Sequence, residues 1–179
     1  MIYAIGDIHG QLKQLNRAIS LIEADGGSNA EIVFLGDYTD RGLESRGVIE
    51  RLLEGKNNSK PWHFLKGNHD RMFSWYLKSQ PIHDPHLFHG LHWLHPRMGG
   101  ATTLLSYGIT LDDTRRSGEI HAEARKKIPE THLNFLNSLD LMYLTSDLAF
   151  VHAGIRPGVP LESQEENDFS YRTIKHVKQ

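Results

Sequence analysis

Four short blocks pair glycine with acidic, amide or imidazole side chains. They are Gly6-Asp7-Ile8-His9-Gly10, Gly36-Asp37-Tyr38-Thr39-Asp40-Arg41-Gly42, Gly67-Asn68-His69-Asp70 and His152-Ala153-Gly154. Carboxylate, amide oxygen and imidazole donors without thiolates suit manganese, iron or zinc better than calcium. Asp7 and His9 are two residues apart, so an extended chain would point both to one side. Asp37 could bridge two cations through its two oxygens, with Asn68 offering an amide oxygen and His152 an imidazole. The flanking glycines let the backbone turn tightly and approach a ligand closely. Taken singly, an aspartate after a strand is a helix cap and an Asn-His pair is a turn. It is the four together, each behind an apolar run, that point to a site.

The runs in front of the blocks are strand-like. Ile2–Ile5, Ile32–Leu35 and Trp62–Leu65 are short and apolar, and Leu141–Leu144 and Leu148–Val151 flank a turn at Ser146-Asp147. Leu12, Leu15, Ile19 and Ile22 recur at helical spacing up to Gly26-Gly27. Val48, Ile49, Leu52 and Leu53 do the same up to Gly55. Strand–helix–strand–helix–strand predicts an α/β fold with a parallel sheet, whose ligand crevice lies beyond the carboxyl ends of the strands. Residues 70–139 read as a helical and looped insert. Met72, Trp75 and Tyr76 share one helical face there, and Pro129 opens a helix that carries Leu133, Leu136 and Leu139.

The chain has 179 residues, twelve histidines, no cysteine and a formal net charge of -2. We expect one domain spanning 1–179. The missing cysteines exclude disulfides, thiolate metal sites and a cysteine nucleophile. Near-neutral charge argues against nucleic acid as the primary partner or an anionic membrane surface. No apolar stretch approaches the roughly 20 residues of a span, and Ile2–Ile5 is too short for a signal peptide. The expected location is the cytoplasm; oligomeric state is not legible.

Together the four blocks resemble the signature of the phosphoprotein phosphatase family of metallophosphoesterases, most closely its bacterial serine/threonine phosphatases. The resemblance runs from Met1 to about Leu161. It implies a calcineurin-like double-sheet core flanked by helices and two divalent cations, manganese first and iron or zinc otherwise. Asp7, His9 and Asp37 would hold one ion. Asp37, Asn68 and His152 would hold the other. Arg41, Asn68 and Arg172 would bind substrate phosphate, His69 would act as general acid and Asp40 would orient it. The implied substrate is a phosphorylated protein or small phosphoester. Relatives that cleave diadenosine tetraphosphate symmetrically tend to carry another residue where Asp40 stands, so dinucleoside polyphosphate or nucleotide hydrolysis is the alternative.

The pattern is incomplete near its end. The family places a further metal-binding histidine in a Gly-His-Thr-like block on a later strand, and this chain offers only His176, without that glycine. Arg172 sits one residue early for the second phosphate arginine. We therefore expect the last strands of the core to be missing and the second ion's site to be short of a ligand. A weakly active or inactive metal-binding remnant is the alternative outside the enzyme class.

His83, His86, His89, His92 and His95 recur every three residues, but Pro81, Pro85, Gly90 and Pro96 prevent a regular helix. We read this stretch as a polar loop anchored by Phe88 and Trp93. The segment Arg97–Tyr107 resembles a helix that approaches the crevice in the bacterial relatives. Arg115-Arg116 and Arg125-Lys126-Lys127 read as solvated surface.

Overall fold

In the computed structural model, which describes residues 1–112 and 114–171, the first third of the chain forms a parallel sheet ordered β1-β2-β3. Its strands are β1 (Ile2–Ile5), β2 (Glu31–Phe34) and β3 (Trp62–Phe64), joined by α1 (Leu12–Gly26) and α2 (Ser45–Asn57). β2 lies in the middle, and its Ile32, Val33 and Phe34 are fully buried. That burial is why β2 reads as an unbroken β-branched and aromatic run. β1 lies at the edge and leaves Ala4 exposed. Leu15 and Ile19 of α1, and Val48, Ile49 and Leu52 of α2, turn their apolar stripes into the core. Phe34 stacks on Phe64 with centroids 5.4 Å apart, and Phe135 meets Phe64 edge-on at 5.3 Å.

Helices α3 (Asn68–Tyr76), α4 (Gly100–Ser106), α5 (Ser117–Lys127) and α6 (Glu130–Asn137) occupy the stretch expected to be helical and looped. Pro129 is the cap of α6 rather than its first helical residue, because its ψ of 140° is extended. Residues 77–99 form no helix, and the histidine-bearing loop has one of its two expected anchors. Trp93 is buried, but Phe88 is 79% exposed. Leu87, Leu91 and Leu94 pack against the core in its place.

The chain then returns alongside β3. Asp140 N–H donates to the Phe64 carbonyl, and Lys66 N–H donates to the Asp140 carbonyl. β4 (Met142–Leu144) and β5 (Ala149–Val151) follow as an antiparallel hairpin. Among the described residues, the second sheet is this two-stranded piece. The short α7 (Glu166–Tyr171) closes over the hairpin's end, where Ala153 N–H donates to the Phe169 carbonyl. Among the described residues, no helix is long and apolar enough to cross a membrane. Arg172 and His176 lie outside the described residues.

Candidate metal centre

All four blocks meet beyond the carboxyl ends of β1, β2, β3 and β5. Backbone hydrogen bonds fasten the first two loops to each other. His9 N–H donates to the Asp37 carbonyl at 2.8 Å, Gly10 N–H to Tyr38 at 2.9 Å, and Gly42 N–H to His9 at 3.0 Å. The loops reach these positions through unusual backbone. Asp7, His9, Asp37, Asp40 and Arg41 all have positive φ, between 42° and 72°. Such conformations cost energy for residues with a Cβ, and they cluster at functional sites. They also correct the extended-chain argument for Asp7 and His9. The turn separates the two, leaving Asp7 exposed and His9 buried.

Asp70 joins the second loop to the third. Its carboxylate accepts N–H groups from Asp37 at 2.7 Å, Tyr38 at 2.9 Å and Gly67 at 3.0 Å. Gly67 is the N-cap of α3 and Asp70 stands three residues on, so one side chain both caps the helix and holds the neighbouring loop. Burial beside Asp37 pushes the Asp70 carboxyl up to about 8, against three donors that favour its charge. Gly67 has no freedom to be larger, since a Cβ there would land on the Asp37 carboxylate.

The histidines show what these loops are built to hold. His9 Nδ1 lies 2.8 Å from the Thr39 carbonyl, and His152 Nδ1 lies 2.8 Å from the Leu35 carbonyl. A carbonyl only accepts, so each Nδ1 carries a proton, and in a neutral ring the lone pair is then on Nε2. His9 Nε2 faces Asp37 Oδ2 at 3.5 Å, and His152 Nε2 faces Asp37 Oδ1 at 3.6 Å. The Asn68 amide oxygen adds a third acceptor 3.2 Å from His152 Nε2. With neutral rings these are acceptors aimed at acceptors, an arrangement that a cation among them would satisfy. Fixing the tautomer through Nδ1 is how proteins orient imidazole ligands. The donor set therefore fits divalent metal.

Two groups close to within 4.8 Å: His9, Asp37 and His69, and Asp7, Asp37 and His152. Asp37 belongs to both. The first contains His69 where sequence expected Asp7. Asp7 stands instead with Asp37 and His152. Burial lowers the His9 imidazole, which favours its neutral, ligating form.

His69 has a different setting. Its Nδ1 lies 2.7 Å from Asp40 Oδ2, and its Nε2 lies 3.2 Å from Arg41 Nη2. A guanidinium can only donate, so Nε2 accepts here and Nδ1–H donates to Asp40. Burial opposes charge on His69, but the bond to Asp40 and the charges of Asp37 and Asp40 win, raising it. Asp40 is wholly buried. Trp93 Nε1 donates to its Oδ2 at 2.8 Å, and the Thr103 hydroxyl to its Oδ1 at 2.7 Å.

The chain matches the family model for calcineurin-like phosphoesterases over residues 1–176. It belongs to that family. Over 85 residues it is 33% identical to a provisionally named serine/threonine-protein phosphatase of Caenorhabditis elegans; the match takes in 44% of this chain and 23% of that protein. A solved structure provisionally named a diadenosine tetraphosphatase superimposes with a TM-score of 0.55 at 22% identity, covering 94% of this chain and 57% of the other. A mutant cold-active protein tyrosine phosphatase gives 0.50 at 22% identity, covering 87% and 42%. The chain thus spans about a quarter of the curated relative and about half of each solved structure.

Asp70, Trp93 and Thr103 were given no role at this centre from sequence, Trp93 being read only as a loop anchor. Asp70 carried a signal, because an acid three residues after a helix-capping glycine is a capping pattern. Trp93 and Thr103 reach Asp40 across 53 and 63 residues, and no local pattern reveals that.

Proposed function

We propose that the chain hydrolyses phosphomonoesters, phosphoserine and phosphothreonine in proteins first, at a centre of two divalent cations, manganese first among them. The observation that carries this reading is Asp37. One carboxylate turns each oxygen toward the Nε2 of a different imidazole, at 3.5 and 3.6 Å. His9 would stand on one side of Asp37, and Asp7, Asn68 and His152 on the other. Such a cation pair, when bound, supplies an activated water and offsets the charge that grows on the phosphoryl oxygens.

The chain's own residues do the rest. The Arg41 fork binds two phosphoryl oxygens, with Asn68 beside it. Arg172 is a further phosphate ligand in this reading. The water oxygen bonds to phosphorus as the ester P–O bond breaks, and the leaving alkoxide takes its proton from His69 Nε2. Asp40 accepts from Nδ1–H, fixing the ring and stabilising its charged form. Asp40 and Arg41 in this order favour a protein phosphatase over a dinucleoside polyphosphatase, and we place the chain in the cytoplasm. The test is turnover of p-nitrophenyl phosphate, a phosphoserine peptide and diadenosine tetraphosphate with added manganese, against a His69→Asn control. Turnover no higher than the control on all three would refute the reading. Preference for diadenosine tetraphosphate would overturn its protein-phosphatase part.

A further inference from the structure

The Asp40 carboxylate accepts three side-chain hydrogen bonds, and two of the three donors come from a segment outside the four blocks. Trp93 lies in the histidine-bearing loop, and Thr103 lies in α4. Trp93 Nε1 shares Asp40 Oδ2 with His69, and Thr103 Oγ1 takes the other oxygen. Thr103 Oγ1 also accepts the Asp40 backbone N–H at 2.8 Å. One hydroxyl thereby ties both the main chain and the side chain of a residue whose φ is 72°. Trp93 is itself fixed, stacked on Phe73 with centroids 5.2 Å apart and planes 16° apart. Between these two residues, Gly99 accepts the Arg41 backbone N–H at 3.3 Å, and a Cβ on Gly99 would strike that nitrogen.

We propose that Trp93 and Thr103 are positioning residues that clamp both oxygens of Asp40, so that Asp40 holds His69 with its proton on Nδ1 and its Nε2 toward the leaving group. The inference rests on the reading of His69 as general acid. A carboxylate bonded only to His69 could rotate about its Cβ–Cγ bond and present either oxygen in several directions. With Oδ1 held by a hydroxyl and Oδ2 by an indole N–H, one lone-pair direction remains for the imidazole. A lost hydrogen bond to a buried charged group is worth roughly 10- to 100-fold.

The variants are Trp93→Phe, which deletes the N–H and keeps a stacking ring, and Thr103→Val, which deletes the hydroxyl at constant shape. Ser45 Oγ, 3.1 Å from the Asp40 N–H, remains as its acceptor in Thr103→Val. Thr103→Ser restores the hydroxyl. The first readout is kcat with manganese on p-nitrophenyl phosphate, a good leaving group, and phenyl phosphate, a poor one. Both deletions should lower kcat on phenyl phosphate by roughly 10- to 100-fold and on p-nitrophenyl phosphate far less, with KM and metal content unchanged and Thr103→Ser rescuing the loss. Equal losses on both esters would overturn the proposal. The second readout needs no turnover. The metal-free wild type should show a downfield His69 Nδ1–H proton resonance that is absent in His69→Asn, lost to exchange in both deletions and restored in Thr103→Ser. Its persistence in both deletions would overturn the clamp. If the wild type hydrolyses neither ester, the proposed function fails and the proton resonance still decides the clamp.

Discussion

At the scale of single residues, the centre is defined by which atoms carry protons. His9 and His152 spend Nδ1–H on backbone carbonyls and turn their Nε2 atoms toward one carboxylate. His69 spends Nδ1–H on Asp40, and its Nε2 meets Arg41. One residue type thus has two settings a few ångströms apart, with His9 and His69 ring centroids 4.8 Å from each other. His69→Asn should lower kcat on phenyl phosphate, with its poor leaving group, roughly 10²- to 10⁴-fold, the usual worth of a general acid, and on p-nitrophenyl phosphate far less, without changing metal content. A loss of metal in that variant, read by elemental analysis, would make His69 a ligand instead. Arg41→Ala should cost about 1.5–3 kcal/mol of transition-state binding, measured as kcat/KM, for the lost charged hydrogen bonds.

That the four blocks converge on one place was legible in sequence because the blocks are local and follow apolar runs. The allocation of their residues was not. Asp7 falls beside His152 rather than His9 because the chain turns through positive φ where alternation assumes extension. Trp93 and Thr103 were hidden for a different reason. Hydrogen bonds over such separations depend on how the helices pack, and packing leaves no mark on local spacing.

At the scale of elements, the loops stay in place through a few buried polar staples. Asp70 gathers three N–H groups from two loops, so Asp70→Asn replaces one acceptor with a donor that faces N–H groups. It should destabilise the fold by about 1–3 kcal/mol in urea unfolding, the cost of a buried unsatisfied group, and weaken metal binding as the Asp37 loop loosens. A second staple lies between α6 and the residue after α4, where the Tyr107 hydroxyl meets His132 Nδ1 at 2.8 Å. Burial lowers the His132 imidazole, the Arg46 charge acts in the same direction, and the Glu50 charge opposes them. The unfolded chain therefore protonates this histidine first as pH falls. Stability contributed by the neutral ring is complete above the unfolded value of about 6.5 and declines below it. Replacing His132 with Asn, which leaves Tyr107 an acceptor, should flatten the fall in unfolding free energy between about pH 7 and 5. An unchanged slope would show that His132 does not contribute to it.

At the scale of the whole molecule, the parallel sheet and its two crossover helices followed from strand-length apolar runs and helical spacing, with β1 unshifted and ends of β2 and β3 shifted by one residue. The tight β4–β5 hairpin was legible from its turn. Less legible was the path of residues 77–99, where Leu87, Leu91 and Leu94 rather than Phe88 meet the core. Histidines at every third position hide an apolar pattern that follows no regular element. The centre draws on loops from both sheets, so cations should tighten the whole fold. Chelation should lower the melting temperature and manganese should restore it, as for any ligand that binds only the native state.

The most direct test of the account is the number of ions held per chain. Manganese titration followed by elemental analysis after gel filtration should give two ions in the wild type and fewer in Asp37→Asn, because both sites share that carboxylate. Retention of no ion by the wild type, or equal retention by the two proteins, would contradict the bridging role of Asp37 and with it the proposed centre.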